Sequence, residues 1–112
     1  GGDKNDVTSG RAVIGGGFNN TASNTYSTVS CGYQNTASGT QSFVGSGLNN
    51  ISSGARSVVV GGSSNTASGG QSTVGGGTSN TASGCRTTVA GGESNTAEDY
   101  RSFNGERYLN IA

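Results

Sequence analysis

The chain has 112 residues, among them 22 Gly, with no Pro, His, Met or Trp, and its six basic and six acidic side chains cancel. That length fits one domain, the neutrality removes the electrostatic case for nucleic acid or an anionic membrane, and the missing His removes the commonest general base. Leu, Ile, Val and Phe are as scarce as in disordered chains, but disorder of that kind goes with high net charge, and here the net charge is zero. No apolar run approaches the ~18 residues of a membrane-spanning helix, and no signal-peptide pattern opens the chain.

In chain order, Gly1-Gly2-Asp3-Lys4 matches the consensus G-G-x-x that precedes the asparagines of a strict frame, as at Asn20, Asn65, Asn80 and Asn95. Asn5, Asn20, Asn35, Asn50, Asn65, Asn80, Asn95 and Asn110 follow one another every 15 residues. The consensus is N-T-A-S-G-x-[RQ]-S-T-V-G-G-G-x-x, and internal repetition of this regularity governs the reading. The unit opening at Asn5 predicts short strands around Val7 and Ile14. Those that follow predict strands around Ala22 and Val29, Ala37 and Val44, Ser52 and Val59, Ala67 and Val74, and Ala82 and Val89. The unit at Asn95 keeps Ala97, then has Asn104 in place of valine and Arg107 in place of a corner glycine.

Both halves of the unit, N-T-A-S-G and S-T-V-G-G, alternate, and alternation is a strand signal. Glycines between the strands can take positive φ, so they suit the corners. A unit of this length is too short for a helical hairpin. It predicts one coil of an all-β parallel β-roll or β-solenoid, about seven coils long, with coils stacked ~4.8 Å apart. Stacking sets like over like, so the asparagines predict an amide ladder. The frame divides the chain into a partial coil at 1–4 that continues an upstream array, β-roll repeats at 5–103, and a degenerate last coil, cap or junction to a neck at 104–112. On this reading the chain is a piece of a longer array.

Ile14, Val29, Val44, Val59, Val74 and Val89 face Ala22, Ala37, Ala67, Ala82 and Ala97 in the predicted core. Side chains this small make a thin interior, and thin cores usually need staples or partners. Cys31 and Cys85 cannot supply the staple, because in stacked coils they stand roughly 17 Å apart along the axis and a disulfide needs about 7 Å or less. Free thiols, or at most contacts between chains, and association of chains are the expectation.

The units S-x-V-x-G-G-x-x-N-x-A-x-G, carried by "STVGGGTSNTASG" (72–84), "STVSCGYQNTASG" (27–39) and "SFVGSGLNNISSG" (42–54), resemble the head repeats of trimeric autotransporter adhesins and similar arrays in phage and viral tail fibres. The resemblance runs from about Asn5 to Phe103. It implies a left-handed parallel β-roll, a homotrimer with three chains side by side, and a passive role in display and attachment. Many such heads repeat at 14 residues, so the 15-residue unit departs from the pattern by one residue in its S-T-V-G-G-G half.

Other constellations are weaker. Glu93, Glu98, Asp99 and Glu106 gather near the C-terminus without a metal-ligand spacing, and they read as a solvated end near Arg101 and Arg107. "GGGFNN" and "GSGLNN" lack the G-K-[ST] and the helix of a phosphate loop and read as corners. The seventh column (Arg11, Tyr26, Gln41, Arg56, Gln71, Arg86, Arg101) is either a contact line for a glycan or protein or a cover over a corner. The fourteenth (Phe18, Tyr33, Leu48, then Ser63, Thr78, Glu93) and the ninth (Val13, Phe43, Val58, Phe103 among threonines) are candidate interchain or partner contacts. Thr21, Thr36, Thr66, Thr81 and Thr96, beside Ser23, Ser38, Ser68 and Ser83, resemble the hydroxyl array of ice-binding solenoids, interrupted by Ile51 and Glu98. Two sequons, at Asn19 and Asn50, read as chance in so Asn-rich a chain.

The sequence therefore predicts an extracellular, non-enzymatic segment of a surface fibre, filament or adhesin head. It uses no cofactor or metal, binds no nucleic acid, inserts in no membrane, and meets a host protein or glycan. The alternatives are an inert filament or spacer and an ice-binding solenoid.

Overall fold

The computed structural model describes residues 2–101, 103, 104, 107 and 108, and is all-β with no helix among them. Two parallel sheets of seven two-residue strands each run along the molecule. The first steps from Asp6–Val7 through Thr21–Ala22, Thr36–Ala37, Ile51–Ser52, Thr66–Ala67 and Thr81–Ala82 to Thr96–Ala97. The second steps from Val13–Ile14 through Thr28–Val29, Phe43–Val44, Val58–Val59, Thr73–Val74 and Thr88–Val89 to Phe103–Asn104. Every pair is in the register of the repeat, as in Thr21 opposite Thr36 and Val59 opposite Val74. The chain is thus a parallel β-solenoid with one 15-residue unit per coil. Seven strands per sheet make about six full turns. The seventh turn of the expectation depends on residues beyond Asn95, of which Asn110 and Ala112 lie outside the described residues, as does Gly1 of the partial first coil.

The molecule measures 36 × 21 × 11 Å. Its thinness follows from a single layer of small valine and alanine side chains between two sheets, at or below the ~10 Å spacing of stacked sheets. Val29, Val44, Val59, Val74 and Val89 from one sheet meet Ala22, Ala37, Ala67, Ala82 and Ala97 from the other, all fully buried in one cluster. Ile14, on the edge strand of the second sheet, is only partly buried. Where the alanine column holds Ser52, its hydroxyl lies 2.6 Å from Ser57 Oγ. Ser57 already donates to Gly54 O at 2.7 Å, so Ser52 is the donor of the pair. One polar intrusion is thereby satisfied inside the core.

The asparagine column differs from the expected amide ladder. The amides bond mainly to backbone. Asn65 Oδ1 accepts the Asn80 N–H at 2.9 Å, while its Nδ2 donates to Gly61 O at 3.0 Å and Gly77 O at 2.9 Å. The same pattern holds at Asn20, Asn35, Asn50 and Asn80, all fully buried. An amide-to-amide bond joins Asn20 Nδ2 to Asn5 Oδ1, at 3.2 Å. The reason is geometric: the corner that follows the second sheet turns carbonyls inward, and only a side chain with both a donor and an acceptor can serve them and the next coil together.

Corners hold the expected left-handed glycines and other left-handed residues besides. Gly17, Gly32, Gly47, Gly62, Gly77 and Gly92 do have positive φ, and a Cβ at Gly62 would stand 2.2 Å from Gly77 O. Thirteen non-glycine residues among those described are left-handed too, in two columns: Tyr26, Gln41, Arg56, Gln71, Arg86 and Arg101, and Lys4, Asn19, Gln34, Asn49, Ser64, Ser79 and Ser94. Left-handed backbone costs an L-residue ~1–2 kcal/mol. It is offset by the hydrogen bonds that the corner N–H groups make to the preceding coil. In the first sheet Thr66 N donates to Asn80 O of the following coil; at the corners Arg56 N donates back to Thr40 O and Ser64 N back to Leu48 O.

Candidate functional site

Two edges and two faces carry the side chains that the core does not use. The first edge is the turn from the first sheet to the second, where Ser57 N–H closes onto Gly54 O and Ser72 N–H onto Gly69 O. The central residues of this turn have negative then positive φ, the pattern of a type II turn, whose second central position usually takes Gly. Here it takes the seventh column, whose long side chains project from a stiff backbone. They order one another. Arg56 Nε donates to Gln41 Oε1 at 3.1 Å, and Arg86 Nε to Gln71 Oε1 at 2.9 Å. Arg86 Nη1 donates to the Tyr100 hydroxyl at 2.6 Å, and Arg101 lies over the Tyr100 ring at 4.8 Å. At the other end Arg11 covers Tyr26 at 5.7 Å.

Between these side chains lies an open cleft of about 340 Å³ lined by Ala55, Arg56, Gly70, Gln71, Cys85, Arg86 and Tyr100. Its floor is the sixth column, which the sequence reading passed over. The signal was present: this column reads Ala55, Gly70, Cys85, three small residues in a row, before Tyr100 closes the end.

The opposite edge holds the fourteenth column. Phe18, Tyr33, Leu48, Ser63, Thr78 and Glu93 pair as single-residue parallel bridges, a third ladder too short to announce itself by alternation. Phe18 and Tyr33 stack at 5.4 Å with rings 9° apart, and Lys4 Nζ stands 5.6 Å from the Phe18 ring. Such a pair contributes ~0.5–1.5 kcal/mol beyond its buried area. Tyr33 and Leu48 nevertheless remain 44% exposed.

The ninth column lies on the outer face of the second sheet. Val13 is 55% and Phe103 is 64% exposed, while Phe43 and Val58 are half-buried. On the outer face of the first sheet, Thr21, Thr36, Thr66, Thr81 and Thr96 form a half-buried column interrupted by the exposed Ile51. Cys31 and Cys85 are free and exposed, in different columns. Asn50 is fully buried in the stitched column, so its sequon is out of reach, whereas Asn19 lies on the exposed edge. Glu93, Glu98 and Asp99 are exposed; Glu106 lies outside the described residues. No protein-family model matches the chain, and no curated protein matches it in sequence.

Proposed function

We propose that the chain is a segment of an extracellular fibre or adhesin head, built for rigid display and attachment rather than catalysis, and assembled as a homotrimer of left-handed rolls. The observation that carries this reading is the apolar surface in register on consecutive coils. Phe18, Tyr33 and Leu48 on one edge, with Val13, Phe43 and Val58 (Thr28 lying between the first two) on the adjoining face, stay in contact with water on a molecule whose fully buried hydrophobic side chains are valine and alanine. Repeated apolar stripes on a straight solenoid suit side-by-side packing of like chains, which would bury them along their whole length. Three rolls would then supply the interior that one lacks.

Light scattering coupled to gel filtration tests this directly. A mass of three chains is expected, falling to one chain when Phe43 and Leu48 are both replaced by serine. A single-chain mass for the unaltered protein would overturn the trimer.

A second reading draws on the exact register of the threonine column on the first sheet. Regularly spaced hydroxyls on a flat face suit ordered water, and thermal hysteresis of the freezing point is its measurement. The interruption at Ile51 and the serine in every second position weigh against it.

A further inference from the structure

From residue 12 to residue 92 the chain carries two charged side chains, Arg56 and Arg86, and both line the same cleft. Charge so sparse and so placed is informative. Both guanidinium groups stand in the seventh column two coils apart, roughly 9.6 Å at ~4.8 Å per coil. Each donates its Nε to the glutamine one coil before it, Gln41 or Gln71, and Arg86 is held further by Nη1, which donates to the Tyr100 hydroxyl and leaves its other Nη hydrogens to a ligand. Neither is engaged by a carboxylate among the described residues. The small side chains of Ala55, Gly70 and Cys85 leave the space between them open, and the Tyr100 ring closes one end. The left-handed backbone at Arg56 and Arg86 fixes where the side chains leave the turn.

We propose that this cleft binds a linear anionic polysaccharide, with Arg56 and Arg86 each taking one carboxylate or sulfate. A pre-oriented guanidinium presents its Nη donors as a fork matched to a planar oxyanion. Two such forks along a straight edge select an extended polymer with anionic groups at regular intervals. The Gln71 amide nitrogen, between the two charges, gives a further hydrogen-bond donor, and the uncharged floor of Ala55, Gly70 and Cys85 suits sugar rings better than an acidic peptide. The proposal names a ligand class for the attachment reading above but rests on different residues, since the trimer argument uses the ninth and fourteenth columns.

The test is binding of the intact protein to immobilised heparin, hyaluronate, neutral dextran and polyglutamate, followed at increasing salt. Arg56→Gln with Arg86→Gln is the matched variant. Glutamine already occupies this column at Gln41 and Gln71 with the same φ near 60°, so the fold tolerates it. Binding to heparin or hyaluronate is expected, weakening with salt, and falling at least about tenfold in the double variant. Heparin alone would assign sulfate, and both polymers would assign carboxylate. Dextran should not bind. The proposal is overturned by no binding to either anionic polysaccharide, by equal binding of the double variant, or by polyglutamate binding as tightly. The mass of the assembly, read in the same samples, separates failure of this cleft from failure of the trimer.

Discussion

At the scale of single residues, the buried asparagine is the most heavily used side chain in the coil. Asn65 satisfies one backbone donor of the next coil and two carbonyls, and no solvent reaches it to replace those bonds. At ~1 kcal/mol per net hydrogen bond, Asn65→Ala should cost about 3 kcal/mol. Urea unfolding of the variant beside the parent measures it; a loss below about 1 kcal/mol would mean that the coils are held by their backbones alone. Serine in the eighth column has a smaller part. Ser27, Ser57 and Ser72 each donate Oγ to the carbonyl three residues earlier at 2.7 Å, while the buried Ser42 Oγ has no partner among the described residues.

Elements here are two-residue strands joined by corners, so their stability depends on how closely successive corners approach. Two glycines of one coil pair separate the requirements. Gly54 has ordinary φ, but a Cβ there would stand 2.1 Å from Gly69 O, a backbone atom that cannot swing aside. Gly76 has nothing within 4 Å of its Cβ position and no positive φ. Gly54→Ala should therefore spread the stack and cost about 1–3 kcal/mol, whereas Gly76→Ala should be neutral or stabilise by ~0.4–1 kcal/mol through the unfolded chain. Thermal melts of the two variants check the pair, and equal shifts would contradict the spacing of the corners. The left-handed columns behave in the reverse sense: they use arginine, glutamine, serine and asparagine where steric rules favour glycine, and the backward hydrogen bonds from Arg56 N and Ser64 N compensate.

At the scale of the whole molecule, stability is a sum of coils and the interfaces between neighbours. Removing residues 61–75, one full unit, joins column eleven to column twelve and leaves every later residue in its place. That deletion should keep the β spectrum and a cooperative melt at a lower temperature. Removing 62–75 instead shifts all later residues by one column, which turns threonine toward the core and valine toward water. Circular dichroism should show that variant largely unfolded beyond the join. If both deletions melt alike, the register is not what holds the stack.

Much of this architecture was legible in the chain because a solenoid writes its contacts as period. Parallel pairing of like with like makes each column a sequence pattern, so the asparagine spacing by itself determined the coil length, the register, the inward valine and alanine columns and the absence of room for a disulfide between Cys31 and Cys85. Period says which residues stack; it does not say where their atoms point within a coil. Only the tertiary structure decided that the asparagine amides serve backbone groups, that arginine and glutamine occupy left-handed corners, and that single-residue bridges form a third ladder. The cleft between Arg56 and Arg86 belongs to the same class. It arises because three small neighbours in the sixth column coincide with an ordered pair in the seventh, and the space they leave is a property of several coils in three dimensions.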